Sequence, residues 1–277
     1  EIYTLSLHDA LPISTSKMDL HIHSTCSDGA LSPVELVKKF HNDEYSIIAI
    51  TDHDTVDGVS AAQIAGEALE IQVISGIELG TIFDDEIRLH ILGYYIDTEN
   101  KELGEAIEAL KKARKERNEA ILSILNRDGY DISENDLKVF TGQKYIGKPH
   151  FALALKNRGY ISDLKEAFAE GRFLETPEMK KIDRIYIDTV SAMKIISGAG
   201  GIPVLAHPMK IKGLGEKGSE EFFGNLDLLL GKLKKAGLKG LECFHPSADR
   251  EQSLRMVKLA DKYHLHITHG SDYHGIT

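Results

Sequence analysis

Short apolar runs alternate with longer amphipathic stretches along most of the chain. Met18–Leu20 opens an apolar strand that runs into His21. Ser32-Pro33-Val34-Glu35 carries the N-cap serine, first-turn proline and third-position glutamate of a helix start, and the helix is predicted to run to about Asn42. Ser46–Thr51 is a continuous β-branched run, as in a strand buried on both faces. Gly58–Glu70 is Ala-rich and predicts a helix, while Gln72–Ser75 and Ile87–Tyr95 predict two more buried strands. This alternation specifies a parallel α/β fold.

The texture changes after residue 98. Glu99–Asn126 predicts a charged amphipathic helix, with Leu103, Ile107 and Leu110 near one face, ended by Gly129. Ser133–Phe140, Lys148–Asn157 and Ser162–Ala169 predict shorter helices, and no strong buried strand appears between Tyr95 and Tyr186. Residues 99–185 are therefore expected to form a helical insertion between residues 18–98 and 186–277. In the last part a helix over Asp188–Ala199 precedes strand Ile202–Ala206, helix Ser219–Ala236, strand Leu238–Cys243, helix Ser247–Tyr263 and strand Leu265–His269. Residues 1–17 break the pattern: LSLHDALPI resembles translated adapter sequence, and the expectation is a non-native leader before Met18. Thr277 closes the chain three residues after His274, which leads us to expect a truncated C-terminus.

Composition narrows the function classes. A chain of 277 residues suits one barrel-sized domain or a catalytic domain with an insertion. A formal charge of −10 argues against non-specific wrapping of duplex nucleic acid, which relies on Lys and Arg at the phosphates. Cys26 and Cys243 give neither a disulfide framework nor a zinc-finger spacing. No apolar run reaches the roughly 18 residues of a membrane span, so neither a membrane nor an obligate protein partner is expected, and the location is expected to be cytoplasmic. The unusual figure is 13 histidines with no tryptophan.

The histidines and acids collect at strand ends. His21 and His23 flank Ile22, and alternate residues of a strand point to one side. Asp28 follows in a loop; Asp52, His53 and Asp54 follow the second strand; Glu78 follows the third; His90 lies within the next. His207, His245, Asp272 and His274 follow later strands. Chemistry in parallel α/β folds sits at the carboxyl ends of strands, so residues scattered from His21 to His274 should converge on one rim. Burying so many polar groups without a partner is costly, which favours a metal site. Histidine and carboxylate without cysteine suit Zn, Mn or Fe, and nine good ligands need two to three divalent ions with a bridging carboxylate. His41, His264, His266 and His269 are left outside the set.

HIHSTCSDG, ITDHD, GIE, HILGY, AHP and GSDYHG resemble the motifs of the PHP (polymerase and histidinol phosphatase) superfamily. The likeness is closest to bacterial enzymes acting on 3′,5′-bisphosphonucleosides and on 5′ ends of short RNAs. It covers Met18–Tyr95 and Gly200–Gly275, plus the GKPH of the insertion. The resemblance implies a distorted (β/α)7 barrel with a trinuclear metal site. It implies His21, His23 and Asp272 on the first metal, Glu78 as the bridge, His90 and His207 on the second, and Asp28, His53 and His274 on the third. Three divalent ions and three carboxylates would leave the site at about +3, which suits a phosphate monoester despite the acidic chain. Bound metals would supply a hydroxide nucleophile and stabilise the transferring phosphoryl group.

Other residues are assigned around that set. His245 is a candidate general acid or substrate contact, and Asp52 a carboxylate that orients the adjoining His53. Asp54 reads as a helix N-cap. Lys148 and His150 of GKPH, with Arg172 and Arg184, are the candidate substrate-binding residues. Relatives carry Arg where this chain has Lys148, which holds phosphate as a point charge without the bidentate fork. The expected activity is hydrolysis of phosphate esters of nucleotides or short oligonucleotides. The alternatives are a small-metabolite phosphatase of the histidinol-phosphatase type and a catalytically inactive, metal-stabilised binding module.

Overall fold

The computed structural model describes residues 17–138, 145–182 and 186–275. Almost all of the leader, the site candidate Arg184 and Thr277 lie outside the described residues. In chain order the first elements are β1 (Lys17–Ile22), α1 (Pro33–Asn42), β2 (Tyr45–Ile50), α2 (Val59–Leu69), β3 (Gln72–Phe83), β4 (Ile87–Tyr94), α3 (Lys101–Arg127) and α4 (Lys148–Asn157). They are followed by β5 (Ile187–Asp188), α5 (Thr189–Gly198), β6 (Ile202–Leu205), α6 (Glu220–Ala236), β7 (Gly240–Phe244), α7 (Arg250–Lys262) and β8 (His266–His269). The chain divides into two compact units, one of the described residues up to Glu105 and from Tyr186, the other within Ala106–Ile185.

The first unit is a mixed α/β structure. Its sheet runs β1-β2-β3-β4-β6-β7-β8, with β5 paired to β3. The pairs β1/β2, β2/β3, β6/β7 and β7/β8 are parallel. The expected unbroken parallel alternation needs correcting at β4, which runs antiparallel to both β3 and β6. The cause is local: Asp84 and Asp85 both take positive φ, 51° and 58°, and turn β3 straight back into β4. Aspartate tolerates this conformation better than most residues, and the turn matches the strand twist. A single bridge, Ile22 to Tyr273, ties the segment after β8 to β1.

α1 starts as predicted. The Glu35 N–H donates to Ser32 Oγ, and the Glu35 carboxylate accepts the Ser32 N–H at 2.8 Å. Its buried face, Leu36, Val37 and Phe40, packs with Ile22, Ile48 and Ile50 of the first two strands. That packing fixes the ends of β1 and β2, where the candidate ligands begin.

The second unit has its own core of Ile121, Leu125, Ile132, Phe151, Ala154, Leu155 and Leu174. α4 matches its predicted span. The helix expected over Ser133–Phe140 is only a turn through residues 134–137 among the described residues, and 139–140 lie outside them. Asp136 accepts from both the backbone and hydroxyl of Ser133, as Glu35 does from Ser32 at the start of α1, but here the contact closes only that one turn. Ser162–Ala169 narrows to a 3₁₀ turn over Leu164–Phe168, capped by Asp163, whose side chain accepts from Lys165 N–H. Among the described residues, no helix is long and apolar enough to cross a membrane.

Candidate metal centre

Backbone pairing brings the strand ends together. The His23 N–H donates to Tyr273 O at 2.9 Å, and the Tyr273 N–H donates to His21 O at 3.2 Å. This bracket holds Asp272 and His274 against the His21–His23 pair. On the other side, the Asp54 N–H donates to Glu78 O and the Glu78 N–H to Asp52 O, which sets His53 beside Glu78. His90 enters from β4, opposite Gly80, and His207 from the turn after β6. His207 and Asp272 take positive φ, 27° and 54°. Such strain at non-glycine positions clusters where function demands it.

Glu78 is the hub. It is fully buried, and five imidazoles come within 3.3 Å of its carboxylate. His90 Nδ1 lies at 2.7 Å, His53 Nδ1 and His207 Nε2 at 2.9 Å, and His21 and His23 Nε2 at 3.3 Å. Asp272 Oδ1 adds a second carboxylate, 3.2 Å from His23 Nε2 and 3.6 Å from His21 Nε2. Asp28 faces His274 Nε2 at 3.2 Å and His53 Nε2 at 3.8 Å. Three groups have donor atoms all within 4.8 Å of one another: His21, His23, Glu78 and Asp272; His53, Glu78 and His90; and His23, Asp28, His53 and His274. These groups share members and hold eight of the nine side chains singled out as ligands, and the ninth, His207, joins them through Glu78.

The donors fit divalent metal ions. Glu242 Oε1 lies 3.0 Å from His21 Nδ1, and a carboxylate only accepts, so the proton sits on Nδ1. In the neutral ring this leaves the lone pair of His21 Nε2 facing Glu78 and Asp272. His21 Nε2 and His23 Nε2 are both buried, and neither makes a hydrogen bond. A cation bound to them and to Glu78 would satisfy all three, in the carboxylate–histidine–metal arrangement common to such sites.

The electrostatics point the same way. Burial disfavours ionised carboxyls, yet the surrounding histidines hold Asp28, Glu78 and Asp272 well below the usual carboxylate range. Burial also opposes charge on the imidazoles, but Glu242 and Glu78 lift His21 well above its ordinary value. Asp272, Glu78 and Asp28 lift His23 to about 10 against the same penalty. At His207 burial prevails and lowers it to about 4. The potential that draws protons to His21 and His23 also draws divalent cations.

The neighbouring candidates are placed as follows. Asp52 is fully buried and accepts from Ser24 N–H at 2.7 Å, Ser24 Oγ at 2.6 Å and Ser27 Oγ at 2.6 Å. Its contacts thus go to the loop between His23 and Asp28, where the sequence pointed to the adjoining His53. Asp54 is no N-cap: Gly58 occupies that position of α2, and Asp54 Oδ1 accepts the Gly80 N–H at 3.2 Å. His245 Nδ1 accepts the Ser247 N–H at 2.9 Å, which puts the proton of the neutral ring on Nε2, 3.5 Å from Asp272 Oδ2. Lys148, His150 and Arg172 belong to the second unit. There Lys148 Nζ lies 3.4 Å from Glu175, His150 Nδ1 accepts the Gly147 N–H at 3.0 Å, and the Arg172 guanidinium lies over the Phe173 ring.

Two residues escaped the sequence reading. Glu242 accepts from His21 Nδ1 and, at 2.6 Å, from the His207 N–H, so one buried carboxylate sets two cluster histidines. An acid inside the otherwise apolar LECF strand was the available signal. Lys210, in the turn after His207, reaches Asp272 Oδ2 at 2.5 Å and had no signal beyond its nearness to AHP. Replacing Glu242 with Gln should lower metal affinity by roughly 10–100-fold, the usual scale for a partner behind a ligand. Metal titration of the folded Glu242→Gln protein checks this, and unchanged affinity would remove Glu242 from the site.

Comparisons with known proteins follow from this geometry. Residues 19–176 match the PHP domain. A phosphoribosyl 1,2-cyclic phosphate 1,2-diphosphodiesterase from Eggerthella lenta is 32% identical, over 93% of this chain and 94% of its own length. A 5′-3′ exoribonuclease from Haemophilus influenzae is 28% identical over 94% of this chain and 90% of its own. A 3′,5′-nucleoside bisphosphate phosphatase from Chromobacterium violaceum is 26% identical over 94% and 87%. The solved structure of an amidohydrolase from Chromobacterium violaceum, with bound sulfate and no metal, superimposes with a TM-score of 0.82. It is 26% identical and covers 94% of this chain and 88% of that one. Matched by the domain over more than half its length, and by a relative at 32% identity over nearly all of it, the chain belongs to the PHP domain family.

Proposed function

We propose that the chain is a metal-dependent phosphoesterase. It hydrolyses phosphate esters of nucleotides: 3′,5′-bisphosphonucleosides, 5′ ends of short oligonucleotides, or both. One observation carries the reading: five imidazoles converge on the buried Glu78 carboxylate, with Asp28 and Asp272 alongside. The relatives from Haemophilus and Chromobacterium, named for RNA and nucleoside bisphosphate, support the substrate class.

His21, His23, Asp28, His53, Glu78, His90, His207, Asp272 and His274 would hold two to three Mn, Zn or Fe ions. Such ions supply a water nucleophile near neutral pH and offset negative charge on the phosphoryl group. The remaining tasks fall to the chain. His245, with its proton on Nε2, donates to the ester oxygen as the P–O bond breaks. Asp52 positions the loop that carries Asp28 and Ser27. Lys210 turns from Asp272 to a phosphoryl oxygen. Lys148, His150, Arg172 and Arg184 are assigned to the non-reacting part of the substrate.

A second reading has a specific observation behind it, since the Eggerthella relative is named for a cyclic phosphate of ribose. The test is product analysis with Mn added: phosphate from adenosine 3′,5′-bisphosphate, mononucleotides from a 5′-phosphorylated trinucleotide, phosphate from histidinol phosphate, and the ring-opened monoester from a ribose 1,2-cyclic phosphate. Preference for the first two upholds the nucleotide reading. Preference for either of the others replaces it, and no turnover on any points to the binding-module alternative.

A further inference from the structure

Beside the metal cluster lies a cleft of about 440 Å³, whose lining, apart from His245, has no part in the proposed chemistry. Phe244, Pro246, Ala248 and Leu254 form its apolar wall, and Arg250 and His269 stand on its lining. The size falls within the range of small-molecule sites. Phe244 and Leu254 are large apolar side chains left 36% and 47% exposed, both on the lining of this cleft. Asp249, the acid in the lining, is committed to capping α7, where it accepts the Gln252 N–H at 2.8 Å.

A strand irregularity builds the wall. β7 pairs Glu242 with Thr268 and then Phe244 with His269, so β7 carries one extra residue at Cys243. Bulges of this kind re-aim side chains next to active sites. Here Glu242 is buried against His21, Phe244 is exposed on the cleft, and His245 is buried again. His245 lines the cleft and also lies 3.5 Å from Asp272, so its imidazole joins the cleft to the cluster rim. It is 7% exposed, and its Nε2 makes no hydrogen bond.

From this juxtaposition we infer that the cleft holds the nucleobase of the leaving nucleoside, stacked on Phe244, with the ester oxygen at His245 Nε2. The inference rests on the phosphoesterase reading and adds to it the part of the substrate that the cluster does not touch. A flat heteroaromatic ring matches the requirement because a phenyl ring stacks any base, and Arg250 and His269 on the same lining carry N–H donors. Stacking of one base contributes about 1–3 kcal/mol, or roughly 5–150-fold in affinity.

The test compares adenosine 3′,5′-bisphosphate with its abasic sugar bisphosphate. Phe244→Ala should lower kcat/KM on the nucleotide by about 10-fold or more and leave the abasic compound within about twofold. Phe244→Trp should restore the nucleotide, Leu254→Ala should show a smaller loss in the same direction, and metal content should not change. Equal losses on both compounds, or none on the nucleotide, would overturn the inference. If the wild-type protein releases phosphate from neither, the nucleoside-bisphosphate reading has failed, and calorimetry with adenosine on metal-loaded protein decides the cleft. Binding weakened about fivefold or more by Phe244→Ala keeps the base site. No binding, or binding indifferent to Phe244, removes it.

Discussion

Glu78→Ala should abolish phosphoesterase activity and strip the protein of most of its bound metal. The carboxylate touches all of His21, His23, His53, His90 and His207, so its loss removes the shared partner of five imidazoles in one step. The activity loss should exceed the roughly 10–100-fold typical of a group that only supports a ligand. Glu78→Gln separates charge from shape. It retains an oxygen and the volume, yet it removes the negative charge that holds neighbouring imidazoles and cations. Metal content and turnover should fall for Gln nearly as far as for Ala. Circular dichroism of both variants guards against unfolding. Normal metal content with normal turnover in Glu78→Ala would contradict the role of Glu78 as the bridge.

Gly270→Ala is the second large effect, and it acts from behind the site. A Cβ at position 270 would lie 2.3 Å from His21 Cβ and 2.4 Å from Glu242 Oε1. Neither neighbour is the loose end of an exposed chain; both are fully buried. Either the backbone of residue 270 or the His21–Glu242 pair must move. Overpacking of this kind costs about 1–3 kcal/mol, and a catalytic group displaced by about 1 Å can cost around 100-fold in rate. We expect a melting temperature lower by several degrees and activity reduced by about 100-fold or more. Addition of excess Mn should restore little of it, because saturating the site does not return the displaced His21 side chain to its place. A variant with wild-type rate and melting temperature would show that the chain accommodates the methyl group and that the His21–Glu242 contact is not tightly held.

Much of this was legible in the chain itself. The buried runs of β1, β2 and β6 and the capping box of α1 are local signals, carried by residues next to one another. The histidines and acids stood out because they follow those runs, and the rule that parallel strands place their carboxyl ends on one rim brought them together. What escaped depends on contacts across long separations or on turn geometry. Glu242 meets His21 across 221 positions, and nothing near either residue announces the pairing. The β3–β4 hairpin rests on two aspartates with positive φ, where glycine or asparagine is the usual marker. Asp54 looked like a cap because it precedes a helix, but the helix starts later and its carboxylate serves Gly80 instead. The helix expected at Ser133 is only a turn, although Asp136 accepts the Ser133 N–H just as Glu35 accepts that of Ser32.

The most direct measurement is the divalent metal content of folded wild-type protein purified without chelator and then supplied with Mn or Zn. The account predicts two to three ions per chain, falling to one or fewer in Glu78→Ala. A folded wild-type protein that binds no divalent metal would contradict it.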